Sequence, residues 1–204
     1  MDGADHAATE LANQARVAPS TASAHLSSLV RGGLVTVERQ GRQRRFRLAG
    51  PAVARALEGL GQMATAPTAV SSLRESTARN QLTTARTCYD HLAGRLGVAI
   101  TDSLVQRGAL CSEDGVFTLS EAGSELLSAI GIDVDELRAA RRAMVRACSD
   151  WTEDRPHVAG ALGSALCGLL LESGWIRRRR GTRAVALTEL GASSLREQLG
   201  VELG

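Results

Sequence analysis

Cys88, His91, Cys148 and His157 are the residues of this chain whose types and placement suit chemistry. Thiolates and neutral imidazoles together hold a borderline ion such as zinc in tetrahedral geometry, or a thiophilic metal or metalloid. The segments that carry them, RTCYDHLAG and ACSDWTEDRPHVAG, each run into a similar stretch. HLAGRLGVAITDSLVQRGAL starts at His91 and HVAGALGSALCGLLLESGWI starts at His157. Aligned on the histidines, Gly94 matches Gly160, Leu96 matches Leu162, Gly97 matches Gly163 and Leu104 matches Leu170, all at one constant offset. Repetition of this kind marks a repeated supersecondary unit. If the two units pack about a pseudo-two-fold axis, equivalent positions face one another and the cysteine and histidine side chains meet. Asp90 and Asp150 are the oxygen donors that would stand in for one of them.

The residues alone leave other readings open. No CxxC pair is present. A cysteine redox switch, an organic effector pocket near Trp151 and Trp175, or buried cysteines and hydrogen-bonded histidines without a sensing role fit the same pattern. Cys167 lies among Leu166, Leu169 and Leu170 and reads as core, whereas Cys111 opens an acidic turn without an obvious partner.

The elements that must position this cluster read as two degenerate winged-helix-like repeats, near residues 88–130 and 148–200. Each repeat is expected as helix, tight turn, helix and short wing. Cys88 and His91, three apart, are expected on one face of a helix. DVDELRAARRAMVRAC is expected as one helix, begun by Asp133 or Asp135 and delivering Cys148 to a loop that reaches His157. The second copy has a basic wing with Arg177, Arg178, Arg179, Arg180 and Arg183, but the preceding helix, SALCGLLLES, is almost wholly apolar. These repeats therefore suit packing or sensing rather than base reading.

The front of the chain carries a different signal. The formal net charge is only +2, so the placement of charge must decide whether a nucleic acid is the partner. All basic residues other than histidine are arginine, and between Arg16 and Arg47 only Glu38 is acidic. Leu11, Ala12, Ala15 and Val17 give a short helix an apolar side, and Pro19, Ser20 and Thr21 suit the entry to a second. Ala22, Leu26, Leu29 and Val30 form the buried stripe of that second helix, which Gly32 and Gly33 end. Val35, Val37, Phe46 and Leu48 then alternate about Gly41 as a hairpin whose tip carries Arg39, Arg42, Arg44, Arg45 and Arg47. The order is that of a winged helix-turn-helix. Ser20, Thr21, Ser23 and His25 would face the major groove of double-stranded DNA while the wing arginines meet phosphates or the minor groove. PAVARALEGLGQM, with Val53, Leu57 and Leu60, is the helix expected to close this domain.

Residues 10 to 48, and above all the run VAPSTASAHLSSLVRGGLVTVERQGRQRRFRL, resemble the DNA-binding core of the ArsR/SmtB family of winged-helix repressors. The resemblance implies a homodimer that reads an inverted repeat and is released by an effector, and it adds that relatives commonly sense metals, metalloids or thiol oxidation. Members of that family place one or two helices ahead of the helix-turn-helix, where this sequence has ten residues before Leu11.

The fold class expected is mainly α with small β wings: a winged helix-turn-helix in residues 1–62 without the usual front helices, a linker in 63–80, and a C-terminal regulatory domain in 81–204. A short helix around Val70 to Arg79 is expected within the linker. No spanning segment or secretory signal is read, so the expected home is the cytoplasm with no membrane partner. The function expected is an effector-responsive transcriptional repressor. A protein-interaction module built on degenerate winged helices is the alternative, and it predicts no affinity for duplex DNA. Catalysis is not expected, since no nucleophile elbow, phosphate-binding glycine fingerprint or fixed third group surrounds Cys88 and His91.

Overall fold

A computed structural model describes residues 5–63 and 72–203, with the side chains of 61–63 and 74 outside that description. The chain divides into two compact units, Met1–Leu60 and Gly61–Gly204. Among the described residues no helix is long and apolar enough to cross a membrane.

The first unit is built from β1 (His6–Ala7), α1 (Ala8–Ala15), α2 (Pro19–Arg31), β2 (Val35–Gln40), β3 (Gln43–Leu48) and the helix α3 (Pro51–Met63). Glu10 steadies the start of α1 by accepting the Ala7 N–H at 2.7 Å. Arg16 ends it in the left-handed region at φ 54°, which turns the chain sharply into α2. Pro19 opens α2, where a missing N–H costs nothing. The strands form one antiparallel sheet in the order β1-β3-β2, and Gln40 pairs with Gln43 around a turn that Gly41 enters at φ 62°. Ala12, Ala22, Leu26 and Phe46 are buried, as an apolar stripe shared by two short helices and a hairpin requires. Leu29 is exposed, however, and Val30 only half-buried. In α3 the buried pair is Ala54 and Glu58, while Leu57 and Leu60 face outward. The closing face expected of Val53, Leu57 and Leu60 is therefore rotated by about one residue: both sets have helical spacing, and it is the 54 and 58 line that is buried.

The second unit begins with α4 (Leu73–Thr84), capped by the Ser72 hydroxyl, which accepts the Glu75 N–H. This helix starts inside the stretch read as linker, and Val70 lies outside the described residues. Two runs of identical element order follow. The first is β4 (Arg86–Cys88), β5 (His91–Ala93), α5 (Gly94–Gln106), β6 (Leu110–Glu113), β7 (Val116–Leu119) and α6 (Glu121–Ala129). After α7 (Val134–Ala139), the second is β8 (Arg146–Ser149), β9 (Pro156–Ala159), α8 (Gly160–Glu172), β10 (Ile176–Arg178), β11 (Val185–Leu187) and α9 (Glu189–Leu199). Each run is thus hairpin, helix, hairpin, helix, and the opening element is a strand pair where a helix was expected. Three residues of separation suit the i, i+3 face of a helix and the closing pair of a two-residue hairpin equally well. Here Cys88 pairs with His91 across the ladder, and Tyr89 takes φ 62°, as such a turn demands.

The helix expected to reach Cys148 stops at Ala139. The Ala143 and Met144 carbonyls instead accept the Ala161 and Leu162 N–H groups at 2.9 Å, serving as the cap of α8. Each opening hairpin enters its helix through a glycine in the left-handed region, Gly94 at φ 75° and Gly160 at φ 86°. A Cβ at Gly94 would lie 2.6 Å from the Thr83 carbonyl oxygen and one at Gly160 2.7 Å from that of Ala143, so both space and dihedral demand glycine. The core joins Leu96, Ile100 and Leu104 of α5 to Leu162, Leu166 and Leu170 of α8, closed by Leu127, Leu195 and Leu199. α5 packs on β9 and α8 packs on β5, so each helix leans on the hairpin of the other run.

Candidate functional site

In the first unit, Ser20, Thr21, Ser23 and His25 are all exposed on α2, with Ala22 and Leu26 buried on its other side. The hairpin register sorts the five wing arginines. Arg47 contacts Glu38 at 2.9 Å and stands 4.0 Å from Asp5, and Arg45 lies 3.6 Å from Glu10. Arg39 and Arg42 are exposed at the tip with no carboxylate partner among the described residues, and Arg44 stacks its guanidinium over the Phe46 ring at 5.2 Å. The free positive field of the wing therefore sits on Arg39, Arg42 and Arg44, while Arg45 and Arg47 also serve to hold the hairpin to its neighbours.

In the second unit, Cys88, His91, Cys148 and His157 converge, with one ligand atom from each lying within 4.8 Å of all the others. All four are buried. The two hairpins supply them in the same way: Cys88 pairs with His91 across β4 and β5, and Cys148 pairs with His157 across β8 and β9. The cysteine Sγ atoms are 3.9 Å apart and the histidine Nε2 atoms 3.2 Å apart. Ala93 and Ala159 pack with the cysteines, small side chains that let the hairpins approach. A Cβ added to Gly163 would lie 3.1 Å from the His91 Cβ, so that helix position too is kept small where the cluster forms.

The far nitrogen of each imidazole faces a carboxylate of its own hairpin. His91 Nδ1 is 3.2 Å from Asp90 Oδ1, and His157 Nδ1 is 3.4 Å from Asp150 Oδ2 without making a hydrogen bond. Asp90 and Asp150 thus stand behind the histidines. Each has its own guanidinium: Arg142 donates to Asp90 at 2.6 Å, and Arg86 donates to Asp150 at 2.8 Å with both side chains fully buried. Asp150 also accepts the Thr152 hydroxyl at 2.7 Å and the Gly94 N–H at 2.6 Å, the first amide of α5. Arg86 in turn donates to Thr152 at 3.0 Å and lies over the Trp151 ring at 4.8 Å.

Ionisation follows this wiring. The Cys88 thiol beside it, helped by His157 and His91 against the cost of burial, holds the Cys148 thiol far below the ordinary range. Burial works against the charged form of His91, but hydrogen bonds to Asp90 and Cys148 outweigh it and raise its pKa. Burial likewise opposes the Asp90 charge, yet His91 and Arg142 bring the carboxyl down to about 2. For Asp150, burial is outweighed by Thr152 and Arg86, which hold it well below the usual carboxylate range. The contacts of Cys148 favour its thiolate, the form that metal ligation requires. The His91 and His157 side chains are only 4% and 1% exposed.

Sequence reasoning found the segment that Arg86 opens but missed Arg86 itself and the pattern the two approaches share. Arg86-Thr87-Cys88-Tyr89-Asp90 and Arg146-Ala147-Cys148-Ser149-Asp150 share an Arg-x-Cys-x-Asp pattern, but the cysteines are 60 positions apart and the histidines 66. The longer second loop hides the match from any alignment at one offset. Cys111 is exposed and Cys167 buried, both away from the cluster. Arg177, Arg178, Arg179 and Arg180 are exposed around β10, while α8 before them is a core element.

No family model matches this chain, and no solved structure does. The uncharacterized HTH-type transcriptional regulator YdfF of Bacillus subtilis (strain 168) is 44% identical to it over 204 residues, which is 100% of this chain and 89% of that protein.

Proposed function

The chain belongs to the HTH-type transcriptional regulators, and we propose that it is a repressor which reads an inverted repeat in double-stranded DNA as a homodimer and answers to an effector through residues 81–204. One observation carries the reading: α2 turns Ser20, Thr21, Ser23 and His25 outward beside a hairpin whose Arg39, Arg42 and Arg44 are exposed or stacked on its surface. Polar side chains on such a helix read base edges, and wing arginines fix its register on phosphates. The likeness of residues 10–48 to ArsR/SmtB repressors supports the repressor role. Leu57 and Leu60, outward on α3, support a second copy as the partner that covers them. The matching element order of the two runs supports their origin by duplication of one winged-helix-like unit. The burial of the cysteine–histidine cluster supports a regulatory or structural role rather than catalysis.

The test is fluorescence anisotropy with a duplex from the promoter of the protein's own gene against a scrambled duplex. The reading requires tighter binding to the promoter, a stoichiometry of two chains per duplex, and loss of the preference when Ser20 and Thr21 are replaced by alanine. Equal, negligible affinity for both duplexes by a folded protein would leave the protein-interaction module standing instead.

A further inference from the structure

We propose that Cys88, His91, Cys148 and His157 bind one zinc-class divalent ion in a closed tetrahedral site that clips the β4–β5 and β8–β9 hairpins together. Such a site would exist whether or not the chain binds DNA.

Distances within the cluster match the ion. In a tetrahedral site with metal–sulfur bonds of about 2.3 Å and metal–nitrogen bonds of about 2.0–2.1 Å, two sulfurs stand about 3.8 Å apart and two nitrogens about 3.3 Å apart. Here the sulfurs are 3.9 Å apart and the Nε2 atoms 3.2 Å apart. The widest separation in the set is 4.8 Å, about 1 Å beyond a tetrahedral edge. A small rotation of one side chain closes that difference.

Charge and donor type match it as well. Two thiolates balance the charge of a divalent ion, and two neutral imidazoles add none, so the filled site is neutral in a place where a net charge would be costly. The Asp90–Arg142 and Asp150–Arg86 pairs around it are separately balanced. Both histidines present Nε2 inward and turn Nδ1 toward a carboxylate, the arrangement by which an outer carboxylate fixes the tautomer of a metal-bound imidazole. His157 Nδ1 is a buried atom with no hydrogen bond here, lying 3.4 Å from Asp150 Oδ2. Metal on Nε2 places the proton on Nδ1 and turns that near approach into a bond. The mixed sulfur and nitrogen donor set in tetrahedral disposition selects zinc over magnesium or calcium, which take oxygen ligands.

Topology sets the kind of site. Four protein ligands complete the coordination and the cluster is closed to solvent, so no position remains for water or substrate. That is the form of a structural site rather than a catalytic one. The ligands come in equal numbers from two hairpins whose strands do not share a ladder, so the ion adds a coordination link where backbone pairing supplies none.

The experiment uses the full chain, purified under reducing conditions without chelator. Elemental analysis should find about one zinc per chain, and cobalt(II) substituted for it should show the intense visible bands of a tetrahedral ion together with thiolate-to-cobalt charge transfer. Cys148→Ser and His157→Gln should each lose the bound ion, whereas Cys111→Ser, which alters an exposed thiol outside the site, should retain it. Asp90→Asn, which leaves every ligand in place, should weaken metal affinity about 10–100-fold. Since a ligand variant that fails to fold would also lose metal, the cobalt spectrum of the folded wild-type chain is the deciding readout. An octahedral spectrum without charge transfer, no uptake by the reduced protein, or mass mapping that shows a Cys88–Cys148 disulfide as its resting form overturns the proposal.

Discussion

Replacing Arg86 by methionine tests the buried framework behind the cluster. The substitution keeps most of the side-chain volume and removes the charge. Arg86 and Asp150 are both fully buried and 2.8 Å apart, and Asp150 accepts further hydrogen bonds from the Thr152 hydroxyl and the Gly94 N–H. Removing one member of such a pair leaves the other charge buried without compensation, at a cost of about 3–5 kcal/mol. In a unit of this size each kcal/mol lowers the melting temperature by about 2–4 °C, so Arg86→Met should lower it by roughly 6–20 °C. Trp151 and Trp175 both belong to the Gly61–Gly204 unit, so tryptophan fluorescence reads that unit alone. The pH dependence has a definite sign. Asp150 is depressed in the folded protein, so its contribution to stability is present above the ordinary carboxylate pKa and is lost as pH falls toward the folded value. Arg86 supplies part of that depression, and the gap between wild type and Arg86→Met should therefore be full near neutral pH and shrink in acid. Adding Asp150→Asn to Arg86→Met should recover part of the loss, because the orphaned charge is then gone while an oxygen remains for Thr152. A shift below about 2 °C at neutral pH would refute the claim that this ion pair holds the unit together.

Arg42→Ala combined with Arg44→Ala should weaken binding to specific and random duplexes alike and lower the slope of log affinity against log salt by about 0.9 for each phosphate no longer neutralised; an unchanged slope in a folded variant would remove those residues from the backbone interface. Gly163→Ala should destabilise the second unit by about 1–3 kcal/mol, since its Cβ would lie 2.6 Å from the Val158 carbonyl oxygen. Gly168→Ala on the same helix meets nothing within 4 Å and should stabilise by about 0.5–1 kcal/mol, both changes being read by urea unfolding. Burial pushes the Cys167 thiol up to about 11 from its ordinary value, so at pH 8 a thiol reagent should label exposed Cys111 quickly and spare Cys167 until the chain unfolds; rapid labelling of Cys167 in the native protein would contradict its burial.

The helix-turn-helix was legible because local signals agree there. Pro19 opens α2, the Ala22 and Leu26 spacing gives it one buried side, and Gly41 turns a hairpin whose residues alternate. The opening hairpins of the second unit were not legible as strands. Arg86–Cys88 and His91–Ala93 are buried at every position, so the period-two alternation that announces a strand is missing. The helix read through Arg138 to Arg146 was overextended for a related reason. Its periodicity was acceptable, but the carbonyls of Ala143 and Met144 are claimed by a segment some twenty residues onward, a tertiary demand no local pattern records. The meeting of Cys88, His91, Cys148 and His157 could be anticipated from the repeated histidines alone. Arg86 could not, because a buried arginine is read as a surface charge until its carboxylate is located.

The exchange of partners between the two runs explains why the same residue types meet. α5 rests on β9 and α8 on β5, so each opening hairpin lies against the helix of the other run, and β5 and β9 are brought side by side. Under such an exchange, any residue type held at the same hairpin position in both runs confronts its own kind: Cys88 meets Cys148 and His91 meets His157. As thiols and neutral imidazoles these pairs can each share one hydrogen bond, whereas two thiolates repel unless a cation lies between them. The hairpins are also short, with strands of 3 or 4 residues in separate two-stranded sheets, and such hairpins are marginal by themselves. The proposed cation at the crossing would link the two hairpins, and the Arg86–Asp150 pair holds a carboxylate 3.4 Å from the Nδ1 of one proposed ligand, His157. If the proposed ion binds, metal occupancy and the stability of this unit would be a single equilibrium, because ion binding to the folded arrangement draws the chain toward it. Chelation should accordingly lower the tryptophan-detected transition of the wild type and leave that of Cys148→Ser where it already stands; an equal fall in both would place the chelator's action elsewhere.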